Sequence, residues 1–98
     1  MLNETQRVQT EMTVLATQLE HEAGLWRSPA MQRTRWRCQR AASMIREYAD
    51  AVREDDLSAA EIWRDEARAL LLRTRNQRVR LTALQQGKVQ RRQPLAAA

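Results

Sequence analysis

Apolar positions three and four residues apart recur along most of the 98-residue chain, in three blocks separated by short polar breaks. In the first block Thr5, Val8, Met12, Leu15 and Leu19 keep one narrow stripe on one side of a helix, which predicts a helix over 4–22. Asn3 and Gln6 are spaced to exchange hydrogen bonds with each other's backbone at its start, and Gly24 suits a left-handed stop at its end. The second block begins at Ser28-Pro29, a capping serine followed by a proline that tolerates the first helical position. Met31, Thr34, Cys38, Ala41, Ile45, Tyr48 and Val52 continue the spacing, so a second helix is expected over 29–54, with Ala42 and Ala49 beside its seam. Ser58 and Glu61 form a capping box for a third helix over 59–86, stopped by Gly87.

The third block carries two stripes. Ala60, Trp63, Ala67, Leu70, Thr74, Gln77, Leu81 and Leu84 form the seam, and Ile62, Ala69, Leu72 and Val79 lie on the opposite side. Two stripes predict a helix covered on both sides, by helix 1 or by another subunit. Residues 88–98 lack periodicity, contain Pro94, and read as a basic flexible tail after one helical domain over 1–87. The expected fold is all-α. Helices 2 and 3 make an antiparallel hairpin, and helix 1 either packs on it as a three-helix bundle or serves oligomerisation.

Composition narrows the function. Fifteen alanines and no phenylalanine make a thin core of the kind a second chain often completes. Glycines stand only at 24 and 87, which excludes a glycine-rich phosphate loop. The single histidine, His21, has no second ligand four residues away, and Cys38 is the only cysteine, so no metal site and no cofactor are expected. Cys38 on the seam has no evident base and reads as a small core residue; together with the thin fold this argues against an enzyme. The longest apolar run, Ala69 to Leu72, is too short to cross a membrane. Met1-Leu2-Asn3-Glu4 lacks the basic-then-apolar order of a signal peptide, and the expected location is cytoplasmic.

Charge is the sharpest feature. The formal charge is +5, from seventeen basic and twelve acidic residues. Six arginines and no acid lie between Arg27 and Arg46, and eight basic residues and no acid follow Ala67, whereas eight acids lie between Glu47 and Glu66. An antiparallel hairpin turning near 55–58 sets Arg33 near Arg80, Arg35 near Arg78 and Arg40 near Arg73. Acids then gather at its tip and arginines at its open end. Like charges so placed repel, and phosphate, another protein or helix 1 itself, bringing Glu20 and Glu22, would relieve them. A solvated arginine surface is the plain alternative.

Arg33, Arg35, Trp36, Arg37 and Arg40, joined across the hairpin by Arg73, Arg75, Arg78 and Arg80, are the candidate partner-binding residues. An outward Trp36 could stack on a base or anchor a protein interface; the plainer expectation is that helix 1 folds over it. Leu72 and Val79 offer a possible interface, or the dock for helix 1, which is the expectation. Leu25 and Trp26 should plug the bundle end, and Trp63 should be structural. In size and helicity the chain resembles small helical adaptors, secretion-type chaperones and phage-encoded inhibitors, without sharing a diagnostic residue. The leading expectation is a non-enzymatic protein-interaction module binding a protein partner through helix faces and a basic end. The alternatives are a protein that contacts nucleic-acid phosphates non-specifically and a structural homo-oligomer.

Overall fold

The computed structural model describes residues 3–52 and 56–92, with side-chain surroundings given for all of these up to residue 87. Three helices follow one another: α1 (Glu4–Gly24), α2 (Gln32–Ala51) and α3 (Leu57–Arg92). A 3-10 turn over Pro29–Met31 leads into α2. The protein is an all-α, up-down-up three-helix bundle, with no strand among the described residues.

The start of α1 follows its local chemistry. Gln6 N donates to Asn3 Oδ1 at 2.8 Å and Asn3 N donates to Gln6 Oε1 at 3.2 Å, which satisfies two donors the first turn would leave open. Its end departs from expectation. Gly24 belongs to the helix, and no described residue has a positive φ. The last turn tightens instead: Leu25 N donates to Glu22 O and Trp26 N to Ala23 O. Trp26 then folds back under the bundle, 5% exposed, as the expected plug, whereas Leu25, expected beside it, is exposed. Ser28 Oγ accepts from Ala30 N at 3.3 Å and Pro29 opens the 3-10 turn, so α2 begins at Gln32, three residues after Pro29.

α3 is longer at both ends than its signals imply. Leu57 already belongs to it, so Ser58 and Glu61 lie within the helix and Ser58 is not its cap. Glu54 and Asp55 of the expected tip lie outside the described residues. At the other end the helix passes through Gly87 to Arg92, which takes in the first residues of the expected tail; 93–98 lie outside the described residues. A glycine inside a helix costs only about 1 kcal/mol against alanine, too little to stop a helix that nothing else ends. At about 1.5 Å per residue, the 36 residues of α3 span about 54 Å, against about 31 Å for the 21 of α1. Everything from Thr82 to Gln86 is exposed, so α3 projects past its neighbours.

The core is centred on α1. Val8, Met12, Leu15, Ala16, Leu19 and Ala23 are buried against Cys38, Ala42, Ile45 and Ala49 of α2 and Ala60, Ala67, Leu71 and Thr74 of α3. α1 and α2 are the closest pair, α2 and α3 the loosest. This rotates α2 about its axis. Ala42 and Ala49 reach the core because methyl groups let α1 approach, while Ala41 and Tyr48 of the expected seam stay half-buried. On α3, Leu71 replaces Leu70 in the core, and Trp63 is exposed although its ring lies tilted against that of Tyr48, 5.9 Å between centres. Cys38 Sγ lies 3.8 Å from Thr74 Oγ1, so α2 and α3 run antiparallel within about a residue of the expected register.

The second stripe of α3 has no cover. Ile62, Leu72 and Val79 are exposed, so helix 1 does not dock on them. The reason is angular: α1 and α2 both approach α3 on its Ala60–Ala67–Thr74 side, and residues half a turn away face outward.

Candidate functional site: a divided basic surface

The nine candidate basic and aromatic residues do not act as one patch, because folding employs two of the arginines internally. Glu22 sits on the buried face of α1, 2% exposed. Arg78 of α3 grips it with Nε to Oε2 at 2.6 Å and Nη2 to Oε1 at 3.1 Å, and Trp26 Nε1 donates to the same Oε2 at 3.0 Å. Burial pushes the Glu22 carboxyl up, but the bonds from Arg78 and Trp26 and the charges of Arg78 and Arg75 outweigh it, and the carboxyl lies below its usual range. The Arg78 guanidinium is correspondingly raised, by its bond to Glu22. Arg35 is also committed: its Nη1 donates to Trp26 O at 3.2 Å and pins the α1–α2 connection. Helix 1 therefore supplies part of the relief the basic end requires, with Glu22 on Arg78 and Glu20 on Arg46, Nη2 to Oε2 at 2.9 Å.

Six of the candidate arginines remain open. Arg33, Arg37, Arg40, Arg73, Arg75 and Arg80 are exposed, and none has a carboxylate within salt-bridge distance among the described residues. Trp36 is 57% exposed, so α1 does not cover it, contrary to the plainer expectation. Arg40, one turn on, places its guanidinium 5.4 Å from the centre of the Trp36 ring, a cation–π distance. Arg33 and Trp36 also border a shallow hollow with Pro29, Ala30 and Gln32. The outer flank of α2 thus presents an indole faced by one arginine and neighboured by others. Such a surface can stack on a flat group and hydrogen-bond to anionic oxygens.

Arg37 and Arg73 lie elsewhere, on the walls of a groove between α2 and α3 that also includes Ala41, Met44, Trp63 and Leu70. Sequence reasoning missed this groove because it closed α2 and α3 against each other through these residues. Leu72 and Val79 stand on the far side of α3 and contribute to neither surface. Cys38 is fully buried, and burial pushes its thiol up, partly offset by the contact with Thr74. Among the described residues no three His, Cys, Asp or Glu side chains converge as metal ligands, and no helix is long and apolar enough to cross a membrane.

Comparison with protein-family models, with curated proteins and with solved structures finds no match.

Proposed function

We propose that the chain is a non-enzymatic protein-interaction module that binds an acidic partner through the basic end of the bundle. The observation that carries this reading is the exposed Trp36, faced by Arg40 and flanked by arginines that no carboxylate of the described residues neutralises. A half-desolvated indole supplies binding energy and the arginines orient the partner and speed its approach. Arg35 and Arg78 drop out of the binding set because they hold the bundle together.

Trp36→Ala and Arg33→Glu/Arg40→Glu test the reading, with capture of partners from the native host by cross-linking. All three side chains are exposed, so the variants keep wild-type helicity. Loss of a hot-spot tryptophan weakens binding by about 2 kcal/mol or more, roughly thirtyfold. An unchanged set of captured proteins sinks the proposal. The same arginines favour a second reading, contact with nucleic-acid phosphates. Micromolar binding of random duplex or single-stranded oligonucleotides, falling steeply with salt and lost in the arginine variant, supports that reading over the first.

A further inference from the structure

Each pair of helices in a three-helix bundle leaves a groove on the outside, and two of the three are bridged here. Arg46 with Glu20, and Gln9 Nε2 donating to Ala49 O at 3.0 Å, tie α1 to α2; Arg64 with Glu11 and Arg78 with Glu22 tie α1 to α3. The α2–α3 groove has no polar bridge on its outer side among the described residues. Met44 and Trp63 stand half-exposed at its walls, with Leu70 and Ala41 between them.

Charge along this face is polarised. Arg37 and Arg73 occupy one end of the groove and Glu66 the other. None of the three has an ion-pair partner among the described residues. A two-fold axis crossing the face between residues 69 and 70 of α3 brings Glu66 of one copy opposite Arg73 of a second, and the reverse. The Cys38–Thr74 and Tyr48–Trp63 contacts set that level of α3 beside Ala42 of α2. The axis thus satisfies two symmetric acid–base pairings along α3, with Leu70 and Met44 close to it as an apolar centre. The other symmetric stacking, with the copies parallel, lays α2 of one copy over α3 of the other and sets Arg37 of each against Arg73 of the other, so like charges oppose it.

The geometry points to an antiparallel homodimer in which the α2–α3 faces of two copies stack on one another. It goes beyond the reading above, since Trp36 lies on the opposite flank of α2 from the groove, and the dimer leaves Trp36, Arg33 and Arg40 open.

Sedimentation equilibrium of the full chain at low salt, up to on the order of 100 µM, tests it. The wild type is expected to dimerise, and less so as salt rises. Glu66→Arg sets like charges opposite each other at both symmetric positions and should weaken the dimer at least about tenfold; Arg73→Glu should do the same. The exchange Glu66→Arg/Arg73→Glu recreates both pairs and should restore it. These side chains are exposed, so circular dichroism should show unchanged helicity in all three variants. Leu70→Cys, beside the axis, should be joined to its counterpart by a short bis-maleimide, with the buried Cys38 silent. A wild type that stays monomeric overturns the dimer. So does a dimer indifferent to Glu66→Arg, one that the exchange fails to restore, or one that Leu70→Cys does not cross-link.

Discussion

Glu22→Ala removes the acceptor that Arg78 and Trp26 share, and the structure allows its cost to be worked out. Among the described residues no buried side-chain nitrogen or oxygen lacks a partner, so the substitution creates the first. The Trp26 indole N–H is left buried and unpaired, at about 1–3 kcal/mol. Arg78 keeps its charge with 32% of its side chain exposed, so water recovers part of its loss; the upper bound of about 3–5 kcal/mol for breaking a fully buried ion pair does not apply in full. A total of about 3 kcal/mol follows. That is a large share of the roughly 5–15 kcal/mol that stabilises a domain of this size, and it lowers Tm by about 12–24 °C. Glu20→Ala is the control: it breaks an exposed pair with Arg46 and should cost under about 1 kcal/mol. Urea unfolding followed by far-ultraviolet circular dichroism measures both. Equal and small effects for the two variants would show that the Glu22 network does not hold the bundle end, and the reasoning fails. The pH dependence gives a second check. The Glu22 carboxyl titrates below its ordinary 4.5 in the folded chain, so its stabilisation is complete above that value and is lost as pH falls through the folded value. The gap between wild type and Glu22→Gln should therefore narrow below about pH 4.5; a gap constant to lower pH contradicts the assignment.

Three further outcomes follow from the packing. Leu19→Ala, fully buried in α1, should cost about 2–5 kcal/mol, whereas Leu72→Ala or Val79→Ala should stay within about 0.5 kcal/mol, as denaturant midpoints will show. Cys38 should react with a disulfide reagent only as fast as the bundle opens, because its thiol is buried and its deprotonation disfavoured; rapid labelling of the native protein would contradict that burial. Gly87→Ala meets no atom within 4 Å and should raise helicity and slow amide exchange over 82–92, by about 0.5–1 kcal/mol of local stability.

The basic end shows how far a candidate site can be read from a sequence. The clustering of arginines and the register of the hairpin were legible, because both depend on spacing along the chain and on where it turns. Which arginines stay available was not. Arg78 and Arg35 are indistinguishable in sequence from Arg80 and Arg33, and only the approach of Glu22 and of the Trp26 carbonyl, 56 and 9 residues away, removes them from the surface. The exposure of Trp36 was open for the same reason: whether a helix covers it depends on where that helix lies.

The sequence by itself determined three helices, the Asn3 and Ser28 caps, the buried stripe of α1 and the antiparallel register of α2 with α3. These follow from periodicity and from hydrogen bonds between residues a few positions apart. It did not determine the rotation of α2 and α3 about their own axes. A broad apolar stripe tolerates several rotations, and the choice among them falls to the closest neighbour. α1 packs tightest on the small Ala42 and Ala49, which turns Cys38 and Ile45 inward and leaves Met44, Trp63 and Leu70 along an open groove. Tertiary packing therefore decided which apolar residues became core and which became surface, and with that where a partner can bind.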